Sequence, residues 1–239
     1  MSKWKLIDSG NNLAAYNMAI DEEFLARAQA GEKTRVLRFY GWEPPAVSIG
    51  RFQKIESAVN AEACKRLGFD IVRRITGGRA VLHYRELTYS IISRIDNPLF
   101  PSSVHGTYKV IAAGLLAGLR NLGIDAEMVS RGSRRASMVD KHAKDPACFS
   151  SPSWYELVVN GKKIIGSAQR RLSNAFLQHG SILIGYDPTL EAQVLPGGGS
   201  AGHATSLEQE LGRSIEMKEA AEAFRRGFEH ALEATFQPR

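Results

Sequence analysis

The sequence lacks the marks of several protein classes at once. It carries 2 cysteines, Cys64 and Cys148, in 239 residues, too few for a disulfide framework, and no C-x-x-C or H-x-x-x-H pair of the kind that holds zinc. No apolar run approaches the roughly eighteen residues of a membrane span. The opening Met1-Ser2-Lys3-Trp4-Lys5-Leu6-Ile7-Asp8 has none of the apolar stretch of a signal peptide, so a cytoplasmic protein without a membrane partner is expected. Internal repeats, low-complexity tracts and long linkers are also missing. What remains is 44% hydrophobic and 23% charged, an ordinary globular composition, and one domain over residues 1–239 is the simplest organisation.

Charge is present in excess of one sign. The net value is +6, and because residues 207–239 hold seven acids and five bases, the chain before them stands at +8. Such a body suits nucleic acid, anionic lipid or an acidic protein, or it is simply a solvated basic face. Nucleic acid is disfavoured: no helix-turn-helix or zinc module is evident, and the arginines accompany a glycine loop without interleaved stacking aromatics.

Periodicity predicts a strand over Trp4 to Asp8 and a helix over Ala14 to Ala28, capped from Asn11-Asn12, with Tyr16, Ala19, Ile20, Phe24 and Leu25 as its apolar face. Val36 to Tyr40 and Ala46 to Gly50 read as strand, turn, strand about Gly41-Trp42-Glu43-Pro44-Pro45. A short helix over Val59 to Leu67 ends at Gly68. Strands Ile71 to Arg74, Ala80 to His83 and Leu87 to Ser93 follow, interrupted by one tight glycine loop. A long helix runs from Ser102 or Ser103 through Leu122. Trp154 to Val159 and Lys162 to Ile165 flank Asn160-Gly161, the strongest short-range hairpin signal. Phe176 to Ile184 supplies another strand, and Met217, Ala220, Ala221, Phe224, Phe228, Ala231 and Leu232 recur at helical spacing. Consecutive strands with few, unevenly placed helices predict an α+β fold: mixed, mostly antiparallel β-sheets flanked by α-helices.

Nucleotide fingerprints fail. No G-x-G-x-x-G opens a helix after a strand, and Gly197-Gly198-Gly199-Ser200-Ala201-Gly202 continues His203-Ala204 where a phosphate loop needs Lys and Ser or Thr, so that segment reads as a flexible loop. Arg73-Arg74-Ile75-Thr76-Gly77-Gly78-Arg79-Ala80-Val81-Leu82-His83 is more informative. Adjacent glycines bring backbone close to a ligand while three arginines flank them, which suits an anion or an acyl carbonyl. The same residues equally fit a tight hairpin with solvated arginines, and His83 alone fits a structural histidine.

That stretch resembles the R-R-x-T-G-G-[GR]-x-V-x-H signature of the biotin/lipoate protein ligase catalytic-domain superfamily. Asn160-Gly161-Lys162-Lys163-Ile164-Ile165-Gly166-Ser167-Ala168-Gln169-Arg170-Arg171, followed by Leu177-Gln178-His179-Gly180-Ser181-Ile182-Leu183, resembles the family's lysine-bearing hairpin and the strand after it, and Asn17-Met18-Ala19-Ile20-Asp21 matches its first helix. The resemblance runs from about residue 4 to residue 235. It implies the family's fold and a substrate site formed by Arg73, Arg74, Thr76, Gly77, Gly78, Arg79, His83, Gly166, Ser167, Ala168, His179 and Gly180. Within the family, Arg79 in place of the ligases' third glycine and the Cys148-Phe149-Ser150-Ser151-Pro152-Ser153-Trp154-Tyr155-Glu156-Leu157 block point toward octanoyltransferases. An absent accessory C-terminal domain points the same way. Tyr84 replaces an acid common after the histidine, so no proton-transfer role is carried over to it.

Moving an acyl group from a thioester to a lysine amine is eased by a covalent thioester on the enzyme, because thiolate is both nucleophile and leaving group. Cys148 is the candidate nucleophile and Lys163 the cation that assists it as oxyanion stabiliser or base, while Cys64, among Val59, Ala61, Ala63 and Leu67, reads as a small buried hydrophobe. The resemblance implies octanoyl-acyl carrier protein as an acidic donor that would account for the basic body. It implies lipoyl domains, of the glycine cleavage H protein or the 2-oxoacid dehydrogenase E2, as acceptors. No cofactor and a monomer are expected. An ATP-dependent lipoate ligase using magnesium is the alternative, and a hydrolase using Cys148 and His83 is a further one.

Overall fold

The computed structural model describes residues 2–129, 156–197 and 200–237. In chain order it runs β1 (Ser2–Asn12), α1 (Ala14–Gln29), β2 (Arg35–Trp42), β3 (Ala46–Ile49), α2 (Ile55–Ala58), α3 (Ala61–Leu67), β4 (Asp70–Arg73), β5 (Val81–His83) and β6 (Glu86–Arg94). After α4 (Val104–Asn121) and β7 (Glu127–Met128) come β8 (Leu157–Val159), β9 (Lys162–Arg171), β10 (Ala175–Leu183), α5 (Pro188–Val194), α6 (Leu207–Leu211), α7 (Met217–Ala231) and β11 (Ala234–Gln237).

Two sheets result. The larger has eight strands in the order β11-β1-β2-β6-β10-β9-β8-β7, antiparallel from β2 onward and parallel among β11, β1 and β2. The smaller has three strands in the order β4-β3-β5. This is the expected α+β architecture. Period-two alternation decides which face each central residue takes. Leu37 and Phe39 of β2, Tyr89 and Ile91 of β6, and Phe176 and Ile182 of β10 join Ile111, Leu115, Phe224 and Phe228 of α4 and α7 in one apolar core. Alternate positions carry Arg38, Tyr40, Glu86, Thr88, Ser90, His179 and Ser181, all buried. One face of the sheet is therefore a core, and the other carries this polar group beside a smaller apolar cluster in which Val36, Ile92 and Leu177 meet Phe24 and Leu25 of α1. The smaller sheet stands on its own apolar layer, where Val47, Ile49 and Leu82 meet Ala58, Ala63, Cys64 and Val194.

Several local readings change. Leu13, not Asn11 or Asn12, is the cap position of α1, and no side chain caps it. Its buried face runs through Asn17, Met18, Asp21, Phe24, Leu25 and Ala28, leaving Tyr16 50% exposed, because the polar face of the sheet draws Asn17 and Asp21 inward. Residues 41–45 do not close a hairpin: β2 and β3 belong to different sheets, and the segment crosses between them. The glycine loop is no hairpin either, since β4 and β5 lie on opposite sides of β3. The helix expected over Val59 to Leu67 is α3, which starts two residues later, with Asn60 capping it through the Ala63 amide at 3.1 Å and Gly68 closing it at φ +71°; α2 before it is an additional short helix. Of the segment read as a flexible loop, Gly198 and Gly199 lie outside the described residues, but Ser200 is buried and its amide donates to Glu191 Oε2 at 2.7 Å. The Asn160-Gly161 hairpin forms as expected, both residues taking positive φ, 48° and 82°.

Helices α4 and α7 pack backbone to backbone. A Cβ on Gly227 would lie 2.4 Å from the Gly114 carbonyl oxygen and 2.4 Å from the Gly118 nitrogen, neither of which can swing aside. Gly227→Ala should therefore lower stability despite its gain in helix propensity, with a net loss of about 1–3 kcal/mol from forced separation of the helices. Urea denaturation checks this; an unchanged or higher midpoint would show that the pair has room to part.

Candidate active site

The polar face of the large sheet is organised by two buried carboxylates. Asp21, on α1, receives Arg38 Nη1 at 3.0 Å and Ser90 Oγ at 2.9 Å on Oδ1, and Tyr40 Oη at 2.9 Å on Oδ2. Its Oδ2 also lies 3.2 Å from His179 Nδ1, and the other ring nitrogen, Nε2, lies 2.7 Å from Thr76 Oγ1 on the glycine loop. Burial alone would raise the Asp21 pKa, but the hydrogen bond and charge of His179, with Arg38 and Ser90, bring it below the ordinary value. Burial pushes the Tyr40 phenol well up, aided by the Asp21 charge, so it stays protonated and donates.

A second chain has the same order. Glu86 Oε1 lies 2.9 Å from His83 Nδ1, and His83 Nε2 lies 2.7 Å from Ser48 Oγ on β3. Trp42 Nε1 donates to Glu86 Oε1 at 3.0 Å and to Thr88 Oγ1 at 2.8 Å, while its ring stacks on His83 with centroids 3.9 Å apart and planes at 16°. Burial opposes ionisation of Glu86, yet His83, Ser181 and Thr88 hold its pKa below the ordinary value. Each chain thus runs carboxylate, histidine, hydroxyl. The carboxylates sit on the large-sheet side and the hydroxyls on the small-sheet side, so both tie one sheet to the other across a gap.

The arginines of the glycine loop are builders of that gap. Arg74 is buried; its Nη1 donates to Ser48 O and Oγ, both at 2.9 Å, and its Nη2 to the carbonyls of Gly77 at 3.0 Å and Arg79 at 2.6 Å. Arg73 Nη1 reaches the carbonyls of Gly50, Arg51 and Gln53 at 3.0, 3.1 and 2.7 Å. Arg74 is not a solvated arginine, and Arg73, though exposed, is tied to backbone carbonyls rather than free on a hairpin. Gly78 takes φ +92°, and its carbonyl presses so close to Gly50 that a Cβ there would lie 2.0 Å away.

Between the sheets lies a cavity of about 320 Å³. Of the residues expected to form a substrate site, Arg74, Gly77, Gly78, Arg79, His83, Gly166, Ser167, Ala168, His179 and Gly180 all line it. Thr76 acts through His179, and Arg73 braces the loop from outside. Lys163 is fully buried and its Nζ lies 2.5 Å from Glu156 Oε1; Glu156 reaches the cavity wall, whereas Lys163 does not. Lys162 is exposed, as alternation requires. Cys148 lies outside the described residues. Cys64 is buried and desolvation raises its thiol pKa, which makes it a poor nucleophile.

Trp42, Ser48, Glu86, Asp21 and Glu156 belong to the site without having been singled out from sequence as site residues. A signal existed for one: Glu86, Thr88 and Ser90 fall at every second position of an otherwise apolar strand, a polar row that needs partners. Trp42 reads as part of a turn until the sheets are assembled.

Residues 13–229 match the family model of the lipoyl protein ligase A/B catalytic domain, and the chain belongs to that family. Among its relatives, octanoyltransferase LipM of Anoxybacillus flavithermus is 43% identical over 96% of this chain and 86% of its own. Octanoyltransferase LipM of Bacillus subtilis is 40% identical over 98% and 88%. In fold, the chain is similar to a lipoate-protein ligase A crystallised with ATP, at TM-score 0.80 and 24% identity over 100% of this chain and 89% of that one. It is likewise similar to an archaeal bipartite lipoate protein ligase from Thermoplasma acidophilum, at 0.76 and 20% over 100% and 87%.

Asp21 sets a pH dependence whose sign is fixed. Its folded pKa lies below the ordinary value, so its contribution is complete above about pH 4 and is lost as pH falls through the folded value. Asp21→Asn, which leaves Arg38 without its buried partner, should cost about 3 kcal/mol or more at pH 7. That gap should narrow below about pH 4, where the unfolded wild-type chain takes up a proton on the same group before the folded state does. Denaturant midpoints of both proteins from pH 7 to pH 2.5 measure it, and a gap constant to the lowest pH would assign the linkage elsewhere.

Proposed function

We propose that the cavity between the sheets takes an octanoyl thioester from acyl carrier protein, that Cys148 receives the octanoyl group, and that the target lysine of a lipoyl domain removes it, without ATP. The observation that carries this reading is the joint construction of one cavity by the glycine loop and the lysine hairpin, with Glu156 in its wall and Lys163 paired to it from behind. Relatives named octanoyltransferase, similar over most of their length, support the octanoyl group as cargo. An apolar tail of six or seven methylenes, buried at about 0.8 kcal/mol each, offers on the order of 5 kcal/mol of affinity.

In the first step the Cys148 thiolate attacks the donor carbonyl, the new C–S bond forms, and the donor C–S bond breaks as the carrier thiolate leaves and takes up a proton. In the second, the acceptor amine attacks the enzyme thioester, the C–N bond of the amide forms as the C–S bond breaks, and the proton lost by the amine is taken up by the departing Cys148 thiolate. Exchange of one thioester for another is close to balanced in energy, and amide formation from a thioester runs downhill, so neither step calls for a nucleotide. Glu156 lies eight residues after Cys148 in the sequence, and the cation it holds supplies fixed positive charge for the thiolate and oxyanion. Gly77 and Gly78 leave space for the reacting carbonyl against backbone.

Incubation with octanoyl carrier protein alone should add one octanoyl mass, removable by hydroxylamine, to the native enzyme and to Cys64→Ala but not to Cys148→Ala. Modification of a lipoyl domain should then follow without nucleotide. If the acceptor is modified only with free acid, ATP and magnesium together, an ATP-dependent ligase replaces this reading.

Lys163 and Lys162 separate in the same assay. Loss of a preorganised cation beside a developing oxyanion costs about a hundred- to a thousandfold in rate. Lys163→Ala should show that loss, whereas Lys162→Ala, which removes a solvated charge, should change little. Because Lys163→Ala also strands Glu156, a Lys163→Met, Glu156→Gln double variant with a thermal midpoint near that of wild type distinguishes lost chemistry from lost folding. Full activity in that double variant would remove Lys163 from the mechanism.

A further inference from the structure

Between β3 and α2 the chain makes a short loop that carries Phe52, 83% exposed and more so than any other large hydrophobe among the described residues. An isolated exposed apolar side chain is ordinary. This one stands on a rigid support. Three carbonyls of the loop accept from Arg73, the Gln53 amide donates to Gly50 O at 3.0 Å, the Gly50 amide donates to Gln53 Oε1 at 3.0 Å, and the Arg51 amide donates to Thr76 O at 2.9 Å. Backbone held this firmly has little ordering entropy left to lose when something binds.

Its surroundings are basic. The Arg51 guanidinium lies 5.4 Å from the centroid of the Phe52 ring, Lys54 and Ile55 are also exposed, and the Arg73 guanidinium is bound to the loop itself, against one neighbouring acid, Glu56. Its position is equally specific: the loop rests on the carbonyl of Gly78, and Gly77 and Gly78 form part of the cavity wall. An exposed aromatic among cations, preorganised and one backbone layer from the site, fits an acidic protein that must deliver a thioester into that cavity.

We propose that residues 51–55, centred on Phe52, form the docking face for the acyl carrier protein donor, with the Phe52 ring in apolar contact and Arg51 and Lys54 facing carboxylates. This rests on the donor reading above. It names a surface that the chemistry of transfer does not itself require.

The test compares two donors on full-length enzyme, octanoyl carrier protein and octanoyl-pantetheine, with a lipoyl domain as acceptor. For Phe52→Ala the ratio of the two KM values should rise about tenfold in disfavour of the carrier protein, as expected for truncating an interface aromatic. An Arg51→Glu, Lys54→Glu double variant should raise the ratio further, and more at low salt than at high salt. Thermal midpoints report folding directly, and Phe52 contributes little core to lose. A ratio equal to that of wild type overturns the docking face while leaving octanoyl transfer intact. A selective rise in the KM of the lipoyl domain also overturns it and assigns the loop to the acceptor. A wild-type enzyme inert toward the carrier protein but active with octanoyl-pantetheine overturns the donor reading, and the docking face falls with it.

Discussion

The buried carboxylate of Asp21 is the point on which the site depends. It joins α1 to β2 through Arg38 and Tyr40, to β6 through Ser90 and to β10 through His179. A charge in that position is tolerable only because its neighbours supply both opposite charge and donors; stripped of Arg38, the same group would cost several kcal/mol to bury. Arg38 is equally bound, with Asn17 Oδ1 and Asn17 O as further acceptors at 2.7 and 3.1 Å. The cluster therefore fixes how the first helix lies on the sheet, and through His179 it fixes Thr76 and the glycine loop. Misplacing one of these groups would leave another buried without a partner, so the arrangement specifies a single geometry.

The same construction appears a second time along β6. Glu86 orients His83, His83 meets Ser48, and Ser48 accepts from Arg74, which in turn holds the carbonyls of Gly77 and Arg79. His83 and His179, expected from the motifs as substrate-site residues, are thus linkers between sheets. The consequence for function is a preformed cavity. Its wall is backbone and small side chains on one side and a hydrogen-bonded polar face on the other, with few groups left to reorganise when substrate enters. The Lys163–Glu156 ion pair is held in place beside it by strand alternation and burial rather than by a mobile side chain in water.

The sequence by itself determined which residues would become strands and helices, wherever one face of an element was apolar. The long helices α4 and α7, the Asn160-Gly161 hairpin and the end of α3 at Gly68 follow from local periodicity and from backbone conformations that few residues adopt. Alternation along the strand sets Lys162 and Lys163 on opposite faces; the family motif singles out Lys163, and the structure shows it to be the buried one. Local motifs further gathered much of the cavity wall, since Gly77, Gly78, Gly166, Ser167, His179 and Gly180 occur in three short stretches of sequence. The tertiary structure alone decided the rest. Whether two neighbouring strands pair with each other or with a third is a long-range choice with no local signature, and so β2 and β3 part into different sheets and β4 and β5 flank β3. The inward face of α1 was decided the same way: its apolar residues favour one rotation, but a buried arginine and histidine on the facing strands required Asn17 and Asp21, and satisfying buried charge outweighed covering Tyr16.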